Sequence, residues 1–378
     1  EDNYIEAIKY INQAIDISHD FENLLKDKAF VLYKLKQYDE SISICNNNLK
    51  NNNDIIYQNI LSLNYFKKGE LDKSLKILKM ALKIDNDNPL ILNSLGRIYH
   101  EKRDSTNAEK FLLKAYKIKK DSYEIVNNLA GFYREESKYD KSIQLYNDAL
   151  KINPNNPSII NNLAKAYFDI DKLDLAEKFS LKALSLNKND GNIQKILSLI
   201  YLRKQNYKNG WKYFDGRLNL SDFVEKNPSI NNIRKKLLMK DIIHPNSKIL
   251  VLREQGVGDE ILYSSMYKDL LLLCPNTKIE CDRRLKNIFC NSFPDYKNNF
   301  VDLGSISENL DSLKKYDFTI YAGSLGRYFR NSREHFDNNN IFLKADDKLI
   351  TEIKGKLNSL KYNYNIGISW RSFKNRYA

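Results

Sequence analysis

The chain has 378 residues, is 42% hydrophobic and 29% charged, and carries a formal charge of +13. That length and apolar content suffice for two or more domains, and no stretch approaches the ~20 apolar residues a membrane-spanning helix needs. Residues 1–220 carry 35 basic and 29 acidic side chains and residues 221–378 carry 26 and 19, so the basic excess is spread evenly and forms no stripe for nucleic acid.

The first 220 residues repeat with a 34-residue step. Tyrosines fall at Tyr65, Tyr99, Tyr133, Tyr167 and Tyr201, and leucines at Leu61, Leu95, Leu129, Leu163 and Leu197. Small residues form further columns: Ser62, Gly96, Ala130, Ala164, Ser198; then Ser74, Ala108, Ser142, Ala176, Gly210; then Ala81, Ala115, Ala149, Ala183. Small residues let paired helices approach closely, and leucine and tyrosine fill the space beside them. Pro89, Pro154 and Pro157 fall between units, where proline breaks no helix. These columns resemble the tetratricopeptide repeat, whose helix pairs stack into a superhelix. The array starts in mid-unit: YIEAIKYINQAID reads as a second helix without its first, residues 22–54 form an irregular unit, and 191–220 closes the series. There is no initiator Met, and the expectation is a piece of a longer protein.

Residues 221–246, with Pro228 and Pro245, read as a connector without helical register. The dense basic run of the chain, 233–240, lies in it.

From Lys248 apolar runs alternate with helix-like runs. KILVLRE, TKIECD, NFVDLG and DFTIYAG read as strands, and GVGDEILYSSMYKDLLLL, RRLKNIFCNSF, SENLDSLKKY and DKLITEIKGKLNSL as helices. The alternation predicts an α/β domain with a doubly wound parallel sheet over 247–364. Residues 365–378 open with a further strand, NIGISWRS. Ligands on such sheets sit beyond the strands' carboxyl ends, which selects Glu254, Gln255, Gly256, Gly258, Asp259, Gly323 and Ser324. Gly256 and Gly258 suit a sharp strand-to-helix turn. The dinucleotide fingerprint fails, because its third glycine is Ile261. Asp259 at the helix start either caps the helix or faces a ligand.

EQGVGDEILYSS resembles the glycine–aspartate motif of bacterial heptosyltransferase-like glycosyltransferases. Together NGWKYFDGRL, ILVLREQGVGDEI, GSLGRYF and IGISWRS resemble tetratricopeptide-repeat glycosyltransferases of the GT-B type. The resemblance implies an acceptor-side Rossmann-like domain here and a donor domain whose first strand is 365–378, with Trp370 and Arg371 on the donor side. Truncated there, the fragment is expected to be inactive alone. It further implies that Asp259 is the general base on the acceptor hydroxyl, with Glu254 and Glu260 as substitutes. Arg371, Lys374 and Arg376 either neutralise a donor diphosphate or form an exposed basic end. The co-substrate is then a nucleotide-sugar, with no metal and no other cofactor. His19, His100, His244 and His335 are scattered, and the D-x-D triplets Asp85–Asp87 and Asp169–Asp171 lie inside repeats.

Asn59, Asn93, Asn127 and Asn161 share one position in four consecutive units, with Asn128 and Asn162 beside the last two. An amide both donates and accepts, so a ladder of amides suits the backbone of an extended peptide. The superhelix of protein O-GlcNAc transferases, which this ladder resembles, uses the same device. The alternative is a solvated column in an Asn-rich chain. Cys45, Cys274, Cys281 and Cys290 form no CxxC pair, which fits reduced thiols and a cytoplasmic setting. The expected function is a glycosyltransferase that docks a protein acceptor on its repeats. The alternative is a non-catalytic interaction scaffold with a degenerate α/β domain.

Overall fold

The computed structural model describes residues 2–17, 21–50, 53–227, 230–233, 237, 243–254, 256–336 and 342–359. The chain divides into two compact units, Glu1–Asn189 and Asp190–Ala378.

The first unit is a helical solenoid. It runs α1 (Asp2–Ile17), α2 (Phe21–Lys34), α3 (Tyr38–Leu49), α4 (Ile55–Lys67), α5 (Leu71–Ile84), α6 (Pro89–Glu101), α7 (Ser105–Ile118), α8 (Tyr123–Glu135), α9 (Tyr139–Ile152), α10 (Pro157–Asp169) and α11 (Leu173–Leu186). After α1 the helices pack chiefly in consecutive pairs, α2 with α3 through α10 with α11. The small columns are close-approach points. Ala81, Ala115, Ala149 and Ala183 are fully buried, and a Cβ on Gly96 would lie 2.5 Å from Leu112 Cγ. The tyrosine column stacks on the second helix of its own pair: Tyr99 on Phe111 at 5.4 Å and Tyr167 on Phe179 at 5.5 Å, both nearly parallel.

Two further columns explain why each helix begins and ends where it does. Asp54, Asn88, Ser122 and Asn156 cap α4, α6, α8 and α10, each side chain accepting amides of the first turn, the usual way to satisfy a helix N-terminus. Pro89 and Pro157 are the first helical residues after two of those caps, where proline's fixed φ and missing N–H do no harm. Lys36, Gly69, Arg103, Ser137 and Asp171 adopt positive φ between paired helices, so a left-handed residue ends each first helix.

The second unit opens with α12 (Gly191–Arg203) and α13 (Tyr207–Phe214), the pair assigned above to the last repeat. A 3-10 turn, Asp215–Asn219, leads to α14 (Ser221–Lys226) and α15 (Ile230–Ile233). The connector expected without register is therefore partly helical. Then come β1 (Ile249–Leu252), α16 (Val257–Ser264), α17 (Tyr267–Leu273), β2 (Lys278–Cys281), α18 (Arg283–Ser292), β3 (Phe300–Asp302), α19 (Leu310–Leu313), β4 (Phe318–Tyr321), α20 (Gly326–Phe329) and α21 (Asp347–Ser359). The sheet is parallel throughout, in the order β3-β2-β1-β4.

β1 is apolar at every position because both its faces are covered. Ile249 and Val251 pack with Tyr263, Tyr267 and Phe289 of α16–α18, while Leu250 and Leu252 pack with Phe223, Ile230 and Ile233. The segment read as a connector thus supplies one of the two layers over the sheet. The run expected as one helix from residue 256 onward breaks after Ser264 and resumes at Tyr267. The expected strand at 365–372 lies outside the described residues.

Candidate functional site

A cleft of about 1260 Å³ opens in the second unit, at the carboxyl end of the sheet. Its walls include Leu252, Arg253 and Glu254 after β1, Leu303 and Gly304 after β3, Tyr321 at the end of β4, and Phe223 on α14. In the order β3-β2-β1-β4 the chain winds from β1 through β2 to β3 on one side and then crosses to β4 on the other side of β1, and such a reversal opens a crevice at the strand ends.

Beneath the cleft lies a buried ionic network that the sequence reading did not foresee. Arg217 is 5% exposed and forks onto Glu254, its Nε donating to Oε2 and its Nη2 to Oε1, both at 2.7 Å. Arg217 Nη2 also donates to Ser324 Oγ at 2.9 Å, and Nη1 to the Phe214 carbonyl at 3.0 Å and Asp215 Oδ1 at 3.2 Å. Gly323 N–H donates to Glu254 Oε1 at 2.6 Å, and Ser324 Oγ to Asp215 Oδ1 at 2.6 Å. The guanidinium lies over the Phe214 ring at 4.2 Å. Burial opposes its charge, but Glu254 and Asp215 outweigh that, and its pKa is raised. A forked arginine–carboxylate pair fixes geometry as well as charge, so this network ties the 3-10 turn to the ends of β1 and β4.

That network corrects three readings. Glu254 cannot substitute as base, because both its oxygens are engaged and its side chain is fully buried. Gly323 and Ser324 are buried and spend their donors on the network, so they support the loop without presenting those groups to a ligand. Gly323 also has no room for a Cβ, since Glu254 Oε1, Phe214 and Tyr263 would lie within about 3.0 Å of it.

Glu260 is sequestered too. Its Oε2 accepts from Arg253 Nε at 2.7 Å and its Oε1 from Asp282 N–H at 2.9 Å. Burial raises its pKa above the ordinary glutamate value. Of the loop's three acids, Asp259 alone is partly exposed, and it lines the cleft. Its Oδ2 accepts Gly256 N–H at 3.1 Å, a helix-capping bond. Its Oδ1 has no partner among the described residues. Asp259 therefore both caps its helix and faces the cleft, where the sequence reading had set those roles against each other.

The glycines of the loop do not act as expected. Gly256 has an ordinary extended backbone, with φ −95° and ψ 172°, and Gly258 is helical, with nothing within 4 Å of a would-be Cβ. Neither glycine adopts a left-handed backbone. Gln255, Trp370, Arg371, Lys374 and Arg376 lie outside the described residues.

Tyr263 and Lys195 also line the cleft and were missed by sequence reasoning. Tyr263 stands one helical turn after Asp259, and that i, i+4 spacing was the available signal. Glu280, fully inside, anchors the wall after β3 by accepting Ile306 N–H, Ser307 N–H and Ser307 Oγ–H at 2.7–2.9 Å.

In the first unit the asparagine column is bonded along the stack. Asn59 Oδ1 accepts from Ser94 Oγ at 2.8 Å, Asn93 Oδ1 from Asn128 Nδ2 at 3.1 Å, and Asn127 Oδ1 from Asn162 Nδ2 at 3.1 Å. Each bond joins residue i to i+35, in the next repeat. The oxygens of Asn59, Asn93 and Asn127 are thus spent on holding successive first helices together, and the amide NH₂ groups of these three remain without a partner among the described residues. Asn161 is 4% exposed with its Oδ1 unpaired. Over its first three positions the expected ladder offers donors only.

Tetratricopeptide-repeat family profiles match residues 63–102 and 132–171, and a second profile of the same repeat matches 90–122 and 157–190. The helical unit is built of tetratricopeptide repeats. These repeats typically bind protein partners, and the array here has the form of an interaction scaffold. Among solved structures, a match to a component of the APC/C hetero-tetramer Cut9–Hcn1 has 16% identity and a TM-score of 0.51, over 57% of this chain and 44% of that one. The chain thus spans less than half of that relative. PilF of Pseudomonas aeruginosa matches at 21% identity, over 42% of this chain and 72% of that one, with a TM-score of 0.39. A tetratricopeptide repeat protein from Parabacteroides merdae matches at 16%, over 59% and 90%, with a TM-score of 0.46. No curated protein matches. No described helix is long and apolar enough to cross a membrane.

Proposed function

We propose that this chain belongs to a protein-modifying glycosyltransferase of the GT-B type, whose repeats dock the acceptor protein and whose sheet-bearing unit is the Rossmann-like acceptor side. The observation that carries the reading is the cleft at the carboxyl end of the sheet, with the Asp259 carboxylate at its edge and the neighbouring acids Glu254 and Glu260 sealed in ion pairs. An unspent carboxylate oxygen there suits removal of a proton from an attacking hydroxyl as the sugar arrives. The donor is a nucleotide-sugar. The free NH₂ groups of the asparagine column suit the carbonyl oxygens of an extended acceptor backbone.

The test is sugar transfer by the full-length protein. Asp259→Asn should lower single-turnover transfer by about 10²–10⁴-fold while leaving acceptor binding to the repeats unchanged. Near-normal transfer by that variant removes Asp259 from the chemistry.

A second reading, a non-catalytic scaffold, has its own support: Asp259 caps its helix, and the profile matches fall on the repeats alone. Under it the full-length protein binds a partner protein and transfers no sugar.

A further inference from the structure

We propose that Tyr263 is a ligand-binding residue that, together with Asp259, holds an aliphatic hydroxyl group in the carboxyl-end cleft. This rests on the reading that the cleft is the acceptor side, and adds a residue and a chemistry to it. Tyr263 is 5% exposed and packed tightly, its Cζ lying 3.0 Å from where a Cβ on Gly323 would stand. It still lines the cleft. Its hydroxyl has no hydrogen-bond partner among the described residues. Unlike the sealed hydroxyls of the core, that group opens on the cleft, where water meets it, and a ligand hydroxyl that takes the water's place keeps the hydrogen bond. Tyr267, one turn on, shows the contrast: its hydroxyl is also unpaired, but the residue is fully buried and does not line the cleft.

Asp259 and Tyr263 share one face of α16, four residues apart. The Asp259 Oδ1 accepts and the Tyr263 hydroxyl donates, and a hydroxyl is the small group that needs one of each. Burial, then the charges of Glu254 and Asp259, keep the phenol protonated well above neutral pH, so it remains a donor. Phe214, Phe223 and Leu252 supply apolar wall beside the pair. Two sources carry such a hydroxyl: a seryl or threonyl side chain, and a sugar.

The experiment is saturation-transfer-difference NMR on the 378-residue chain with three millimolar probes: N-acetylserine methylamide, methyl β-glucopyranoside and N-acetylalanine methylamide. The proteins are wild type, Tyr263→Phe and Asp259→Asn. At least one hydroxyl probe should bind wild type, and the alanine probe should not. Tyr263→Phe should weaken that binding about three- to tenfold, the size of one neutral hydrogen bond, without lowering the Tm, since no internal bond is lost. A preference for the serine probe assigns the site to protein hydroxyls, and a preference for the glycoside assigns it to sugar. Equal binding by Tyr263→Phe, equal binding of the alanine probe, or no binding of any probe overturns the proposal. If Asp259→Asn abolishes binding and Tyr263→Phe does not, the tyrosine role fails while the acceptor reading stands. If binding depends on Tyr263 but Asp259→Asn transfers sugar normally in the full-length protein, the base assignment fails and the hydroxyl site stands.

Discussion

Replacing Arg217 with methionine is the sharpest probe of the architecture around the cleft. The change keeps much of the apolar stem and removes the guanidinium. Five hydrogen bonds go with it: two to Glu254 at 2.7 Å, and those to Ser324, Asp215 and the Phe214 carbonyl at 2.9, 3.2 and 3.0 Å. Glu254, with its side chain fully buried, keeps only the Gly323 N–H. Breaking a buried ion pair on one side costs about 3–5 kcal/mol, because the remaining charge is stranded. Urea denaturation followed by hydrogen exchange should show that loss at the amides of β1 and β4. Arg217→Met combined with Glu254→Gln removes the stranded charge and should recover about 1–2 kcal/mol, a coupling visible in the double-mutant cycle. A cost below about 1 kcal/mol for the single variant, or single costs that simply add, would refute the reasoning.

Three further outcomes follow from the helical unit and the thiols. Gly69 has φ +79° and open space where a Cβ would stand, so Gly69→Ala carries only the left-handed backbone penalty and should cost about 1 kcal/mol by urea denaturation. At Asp54 burial works to raise the pKa, but Lys26, 2.8 Å away, and the amides of Ile56 and Tyr57 outweigh it, and the pKa is lowered. A depressed carboxylate pKa stabilises above the unfolded value of ~3.9 and ceases to as pH falls through the lower, folded one; Asp54→Asn should therefore cost up to about 1 kcal/mol at pH 7 and progressively lose that effect as the pH falls below the unfolded value, as read by thermal melts across pH. Burial pushes the Cys45 and Cys281 thiols up to about 12 and raises that of Cys274, so a thiol reagent at pH 8 should label one cysteine, Cys290, quickly, and fast labelling of a second would contradict the burial described here.

Much of this arrangement was readable in the sequence because periodicity and apolar runs report burial directly. The leucine, tyrosine and alanine columns mark the helix contacts, and ILVL, KIEC and FTIY lie inside the runs taken as strands. Residues 221–233 escaped because their helices are four and six residues long, too short for a 3.6-residue period to show. What they bury becomes visible only against the sheet, where Phe223, Ile230 and Ile233 meet Leu250 and Leu252. Arg217 stood in a quoted motif, but its partner Glu254 is 37 residues away, and nothing local joins them. The asparagine column was aligned at 34 residues, whereas its bonds run from i to i+35, one position past the column. Asp259 was posed as cap or cleft residue, and a carboxylate's two oxygens permit both.

The most direct test is single-turnover sugar transfer by the full-length protein from a panel of nucleotide-sugars, with captured partner proteins analysed by intact mass. The account predicts one sugar added by wild type and about 10²–10⁴-fold slower addition by Asp259→Asn, with equal capture of the partner by both. Capture without any sugar added, by wild type as by the variant, would contradict the account and leave the protein a scaffold.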